Sequence, residues 1–495
     1  MNDASRRRGD GVRLLAPKRS PIRRLVTRLL LVTGLLVVGL VGTHAWFCRQ
    51  AAARLDREMA RYRAMGERID PSDFVEPAIA DEENAAVDLM AAGELADGRS
   101  DQWRRFNELE PALPLDEREL YVVESTLHDG RDALARVESA TAKTRVNWKR
   151  SYESPVGEAK SPWSDCAWDL PDLLRAAALR SHQLGDDWDA LVRIRQLLFM
   201  ARAVEADPTL AAYGAAARIR TLACDAITQM APRLLAGSSG DGIDLASLRA
   251  VIDELADDAG ARRAMVRALQ GERMAALDSI RSFAARRTPL FRRRWGGEGW
   301  IERNWIWYCM RPLALNDAPL VLGHISRLID AVQRVSDLRG LTSVMPDVSG
   351  PDEVRGSPVW HGVARGMLWF ERPVERHFRS LAERHLAAAA LAIRVYAIDD
   401  GGRLPADLDD LVPRYLAAIP TDPMAAGGRR LGYLPDPADP ILYSVGNDGV
   451  DDGGDPEPSR ECVRYGGNLA PEWAGRDAVV HLLPHPRSRE DRSED

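Results

Sequence analysis

Leu29 to Phe47 reads LLLVTGLLVVGLVGTHAWF, a run without one charged side chain. At a helical rise of about 1.5 Å per residue it can just cross a hydrocarbon core of about 30 Å. Its flanks give the direction. Arg6, Arg7, Arg8, Arg13, Lys18, Arg19, Arg23, Arg24 and Arg28 crowd the preceding segment, and positive charge is retained on the cytoplasmic side during insertion. Trp46 and Phe47 end the run with rings suited to the far headgroup level. The expectation is a basic cytoplasmic tail over 1–28, a transmembrane helix over 29–47, the N-terminus inside and the chain from about Cys48 outside. In a bacterial cell that means one crossing of the inner membrane with the bulk in the periplasm. A cleaved signal peptide has a shorter apolar run ending in small residues, and Thr43-His44-Ala45 is a poor cleavage signature.

The rest of the chain is built to fold. With 495 residues, 45% hydrophobic and 28% charged, it can bury a real core and fill roughly two or three folded units. Disorder is excluded as a class. The net charge of -7 hides the basic start against an Asp-rich C-terminal third. Five cysteines, Cys48, Cys166, Cys224, Cys309 and Cys462, are scattered, which fits neither a disulfide framework nor zinc spacing. They read as packed thiols, with one bonded pair left open.

Arg49 to Arg68 has high helix propensity and almost no wide apolar face, so the anchor helix is expected to continue outward as a solvated stalk over 48–69. Asp70-Pro71-Ser72-Asp73 ends it. A mainly helical extracytoplasmic domain is expected over 70–349, with no fold assigned before about Pro162. Leu191, Ile194, Leu197, Leu198, Ala201 and Val204 then recur at helical spacing, as do Ile219, Leu222, Ala223, Ile227 and Met230. Breaks at Gly185-Asp186-Asp187 and Asp207-Pro208 give a weakly tetratricopeptide-like helical hairpin. Gly237 to Ile243 is a flexible break, Leu245 to Ala285 further helix, and Ala318 to Val335 helix again.

Between them, Arg286, Arg287, Arg292, Arg293 and Arg294 mix with Trp295, Trp300, Trp305, Trp307 and Tyr308. Two readings stand: anionic lipid contact near Arg292 to Trp307 at a membrane interface, or rings packed on the bundle with arginines reaching outward. Nucleic acid uses similar residues, but an extracytoplasmic domain seldom meets it, and none is expected. Pro and Gly then mark a linker over 350–376, with a boundary near Gly350 to Pro358.

The last unit is expected over 377–485, followed by a disordered tail over 486–495. Phe378 to Ile398 is an Ala-rich helix that stops at Asp399-Asp400-Gly401-Gly402. Short apolar runs between turn signals follow, so a long helix should lead into a small antiparallel sheet. The fold class is therefore mainly α, with a small C-terminal α+β module. The order D-x-G-x-x-P-x-x-L-x-x-L-V-P-x-Y-L-x-x-I-P-x-D-P, then Y-S-x-G-x-D-G, resembles the C-terminal domain of the major pseudopilin of bacterial type II secretion systems. Gly402, Pro405, Leu408, Leu411, Pro413, Tyr415, Pro420, Asp422, Pro423, Tyr443, Ser444, Gly446, Asp448 and Gly449 carry it. The prepilin Gly-Phe-Thr-Leu-Ile-Glu pattern is missing at the membrane helix, and several hundred residues separate anchor from module.

That resemblance implies a calcium loop, with Asp448 as one carboxylate and Asp455 as the second, and with Asp451 or Asp452 able to replace either. Ca²⁺ takes several oxygens from a flexible loop in which glycines let carbonyls join. An acidic, solvated turn is the alternative.

No G-x-S-x-G, H-E-x-x-H, Walker loop or G-x-G-x-x-G occurs. His377 and His385, with Glu371, Glu375 and Glu383 nearby, read as a solvated charged face. His481 and His485 read as surface residues, and Asp165, Asp169 and Asp172 as turn and helix-cap residues. The expectation is a bitopic scaffold or interaction protein that meets a protein partner through its helical region, and not an enzyme. The alternatives are a component of a type II secretion-like envelope transport system and an extracytoplasmic enzyme.

Overall fold

The first helix, α1, spans Pro21–Ala64 as 44 continuous residues. It belongs to a computed structural model that describes residues 21–96, 106, 111–158, 160–234, 245–286, 300–348, 350–351, 354, 361–458, 473 and 475–484. The expectations for the basic tail before Pro21, the 237–243 break, Cys462, His485 and the 486–495 tail lie outside the described residues. So does the centre of the Arg/Trp segment, over 287–299.

Two different environments divide α1. Its described side chains are exposed up to Thr43, and it is a helix long and apolar enough to cross a membrane, with a mean hydropathy of 2.2 in its most apolar window. From Cys48 onward one face is buried: Cys48 is 4% exposed, Ala51 7%, Leu55 2% and Met59 1%. This corrects the solvated stalk. The residues recur at spacings of three and four, a narrow stripe between Arg and Glu positions, and a stripe that narrow is enough to bury one side against a single neighbouring helix.

That neighbour is one of a series. The stretch without an expected fold holds α2 (Ala85–Leu95), α3 (Glu117–Asp129) and α4 (Arg131–Thr141). Asn84 caps α2, and Asp116 with Glu119 forms a reciprocal box at the start of α3. The expected hairpin is α5 (Asp169–Gln183) and α6 (Asp187–Glu205), followed by α7 (Leu210–Met230). Gly185, at φ +85°, makes the α5–α6 turn. The helix expected from Leu245 to Ala285 is two, α8 (Leu245–Leu255) and α9 (Asp258–Ala284). Asp257 breaks it by accepting from Gly260 N–H at 2.8 Å, since such a cap competes with helix continuation. Then come α10 (Trp300–Arg334), α11 (Leu338–Val344), α12 (Gly362–Met367) and α13 (Glu371–Asp399).

After α13 the chain forms a small antiparallel sheet of β1 (Gly432–Leu434), β2 (Ile441–Ser444) and β3 (Ala478–His481), in the order β1-β2-β3. Tyr433 pairs with Leu442, and Leu442 with Val480. Every residue of the central strand β2 is buried.

Two large cores run through the body. One joins α2–α8 to Leu386–Val395 of α13 and to Leu408, Leu411, Tyr415 and Leu442 beyond it. The other joins the outer part of α1, α9, α10 and α11 to Phe378, Leu381 and Ala382 of α13 and to Met424, Val445 and Trp473. Thus α13 belongs to both cores, and the C-terminal module packs as part of the helical body. Its Ala387 to Ala390 row lets neighbours approach closely, because small side chains shorten the distance between helix axes.

Candidate functional site

The acidic loop after β2 carries the expected calcium ligands. Asp448 turns back on its own loop and accepts from Val450 N–H at 2.9 Å. Asp451 accepts from the Arg429 guanidinium and from Tyr443 O–H, the latter at 3.0 Å. The bond from Arg429 holds the Asp451 carboxyl below its usual range. Asp455 accepts from Arg476 Nη1 at 2.9 Å. Asp452 contributes its backbone N–H, 3.5 Å from Asp477 Oδ1.

The carboxylates of Asp448, Asp451 and Asp455 therefore turn to separate partners, among them two arginines. Among the described residues no group of three His, Cys, Asp or Glu side chains is placed to hold a metal. Ca²⁺ takes six to eight oxygens in one shell, whereas Asp448, Asp451 and Asp455 here accept hydrogen bonds from within the protein.

Two other aspartates organise the loop. Asp422, fully buried, accepts from Ser444 Oγ at 2.8 Å, Val445 N–H at 2.8 Å and Met424 N–H at 2.9 Å. Asp477 accepts from Gly454 N–H at 2.7 Å and Asp455 N–H at 3.1 Å. Burial pushes the Asp477 carboxyl upward, against the pull of these N–H groups. The loop is then fastened to the helices, since Arg379 donates to Asn447 Oδ1 at 2.8 Å and Arg339 donates to the Asn447 carbonyl at 3.0 Å. Asp422 lies in the stretch that carries the resemblance, and its D-P setting after I-P is the local signal for it. Asp477 had none, because it meets the loop only through the fold.

The two α13 histidines need correction. His377 and His385 are each 2% exposed, not solvated. Because α13 runs between both cores, neighbours cover several of its faces. His377 Nδ1 lies 2.6 Å from Tyr213 Oη, and burial depresses the imidazole to about 3. His385 bridges the Thr421 carbonyl at 2.7 Å and Asp258 Oδ1 at 2.6 Å. Beside them Arg384 donates to the carbonyls of Glu254 and Asp257 at 2.9 and 3.0 Å, closing the end of α8.

The remaining polar expectations are structural. Asp165 pairs with Lys160 at 2.9 Å, and Asp172 in the first turn of α5 accepts from Arg218 at 2.5 Å. His481 pairs with Asp439 at 2.8 Å. Cys48, Cys166 and Cys224 are buried free thiols.

One cavity holds a dyad that sequence reasoning missed. His182 Nδ1 lies 2.5 Å from Asp187 Oδ1 across the α5–α6 turn, beside a space of about 150 Å³ lined also by Leu113, Pro114, Gln183, Gly185 and Arg233. A carboxylate-oriented imidazole can move a proton. Yet the neighbouring Ser181 Oγ is committed to Asp189 at 2.6 Å, and ligand pockets usually run to about 300–1,000 Å³. A space of that volume admits a small molecule of about benzene's size at most.

Comparison of the chain with protein-family models, curated proteins and solved structures returned no match.

Proposed function

We propose that this chain is a single-pass membrane-anchored scaffold or interaction protein whose body lies outside the cytoplasm. The observation that carries the reading is the divided exposure of α1, bare through Thr43 and buried from Cys48. An apolar surface of that extent is costly in water and favourable in lipid. The Arg-rich start supports an inside N-terminus, and so a periplasmic body on a bacterial inner membrane. Binding is favoured over catalysis because the chemically capable side chains are engaged within the protein: His377 by Tyr213, His385 by Asp258, and Asp422 by Ser444. The α2–α7 surface is the part offered to a protein partner.

The test is extraction of membranes at alkaline pH. The full chain should stay in the pellet, and a variant whose Leu25 to Phe47 run is replaced by a cleavable signal should be recovered soluble. Release of the unaltered chain would contradict the anchor. Catalysis at the His182 dyad would replace the scaffold reading if His182→Ala abolished function while the fold and partner binding survived.

A second reading, a component of a type II secretion-like envelope machine, draws support from the helix-then-sheet order of the pseudopilin-like module. Its absence from isolated secretion complexes would remove that reading.

A further inference from the structure

Helices α1 and α10 run side by side in one direction at constant register. His44 stacks on Tyr308 with ring centroids 3.7 Å apart, and its Nε2 donates to the Tyr308 carbonyl at 2.7 Å, an offset of 264 positions. Further from the membrane, Tyr62 and Ser326 share that offset, and both meet Arg273. Its guanidinium lies 5.7 Å from the Tyr62 ring centroid and donates to Ser326 Oγ at 2.8 Å. Depth along α1 can therefore be read across to α10. Tyr308 lies level with His44, just inside Trp46, which is 60% exposed at the end of the apolar run. Helix α10 begins at Trp300, so at about 1.5 Å per residue its start lies roughly 12 Å deeper than Tyr308. Residues 36–43 of α1 remain exposed.

At this level two guanidiniums flank one indole. Arg286 Cζ lies 3.9 Å and Arg311 Cζ 5.1 Å from the Trp307 ring centroid. Trp307 Nε1 is tied to the Phe283 carbonyl at 2.8 Å, which fixes the ring. Among the described residues no ion pair is formed by Arg286 or Arg311, and Arg311 Nε is buried without a hydrogen-bond partner there. Guanidiniums suit phosphate oxygens, and indole suits the headgroup zone.

We propose that Arg286, Trp307 and Arg311 form a clamp for the headgroup of an anionic phospholipid in the outer leaflet, and that this clamp sets how close the body sits to the membrane. It rests on the anchored reading, because only the α1 span places these residues at headgroup depth.

The test uses the full chain in nanodiscs of phosphatidylcholine and phosphatidylglycerol, with lipids brominated next to the headgroup. Quenching of tryptophan fluorescence should be greater in the unaltered chain than in Trp307→Phe. Phosphatidylglycerol retained on the purified chain should be enriched at least about threefold over phosphatidylcholine, and Arg286→Gln/Arg311→Gln should lose that enrichment with an unchanged unfolding midpoint. Equal lipid ratios in the unaltered and double-variant chains would overturn the clamp, as would equal quenching with and without Trp307. The unfolding midpoint of Arg286→Gln/Arg311→Gln is read beside its lipid ratio, so the ratio decides even if Trp307→Phe unfolds. A chain that washes off at alkaline pH would instead refute the anchor, whereas a retained chain without lipid preference refutes the clamp alone.

Discussion

Arg273, buried to 1% exposure in the middle of α9, donates to Glu67 Oε2 at 2.8 Å just beyond the end of α1. The same guanidinium reaches the Arg68 carbonyl at 3.0 Å and Ser326 Oγ at 2.8 Å. One side chain thereby ties the C-terminal end of α1 to α9 and α10. Arg273→Met should cost about 2 kcal/mol, since hydrogen bonds from a charged, buried donor to half-buried acceptors are lost. Arg61→Ala, at an exposed pair with Glu58, should change stability by less than about 0.5 kcal/mol. Denaturant unfolding of the full chain in detergent compares the two. Equal effects would mean that the junction does not depend on Arg273.

Gly271 lets α9 pass against the α6–α7 turn. A Cβ there would lie 1.5 Å from the Pro208 carbonyl oxygen, whereas one at Gly323 in α10 meets nothing within 4 Å. Alanine gains about 1 kcal/mol over glycine in a helix, and overpacking costs about 1–3 kcal/mol or more. At 1.5 Å the clash wins. Gly271→Ala should lower the unfolding midpoint and Gly323→Ala should raise it. A rise in both would show that α9 can move off the turn.

Asp422 and Asp448 should separate a structural carboxylate from a dispensable one. Asp422→Ala leaves Ser444 Oγ, Val445 N–H and Met424 N–H without their acceptor, a loss of roughly 3 kcal/mol. Asp448→Ala removes one local bond to Val450 and should cost under about 1 kcal/mol. Because the loop is docked on α11 and α13, the full chain is the right material for a calcium titration. Calcium and chelator should give the same melting temperature. A calcium-dependent rise that Asp448→Ala abolishes would establish the metal loop in place of the arginine-held one.

Acid should weaken the fold through His377. Its folded value of about 3 lies below the ordinary 6.5, with burial as the chief cause and Arg384, Arg262 and Arg220 adding to it against Asp258. A depressed value means that the unfolded chain takes up the proton first. The contribution is complete above about pH 6.5 and is lost as pH falls toward 3, at up to about 1.4 kcal/mol per pH unit. Burial raises Asp477 and Asp317, and these act oppositely: their contribution is present in acid and is lost as pH rises through their raised values. Comparing the unaltered chain with His377→Gln isolates the histidine. A parallel pH dependence in both would show that His377 stays solvated or unprotonated in both states.

Much of this architecture was legible because it is periodic or punctuated. The membrane run, the breaks at Gly185 and Asp207, and the helix-to-sheet change after Asp399 are local signals, and the elements end where they indicate. What escaped depends on contact between distant segments. The stripe Cys48, Ala51, Leu55 and Met59 is too narrow to announce burial until α10 lies beside it. The histidines of α13 looked solvated because their nearest sequence neighbours are charged, whereas their covering partners, Tyr213 and Asp258, come from other helices. Asp477 holds backbone N–H groups more than twenty positions away, a relation with no sequence period. The acidic loop could be located from its glycines, but not the arginines that engage it.

Protease added to right-side-out spheroplasts, with tags at each end of the full chain, tests the anchored reading most directly. The N-terminal tag should survive on a short membrane-bound fragment while the C-terminal tag is cleaved without detergent. Protection of both tags, or recovery of the intact chain in the soluble fraction, would contradict a single crossing with the body outside.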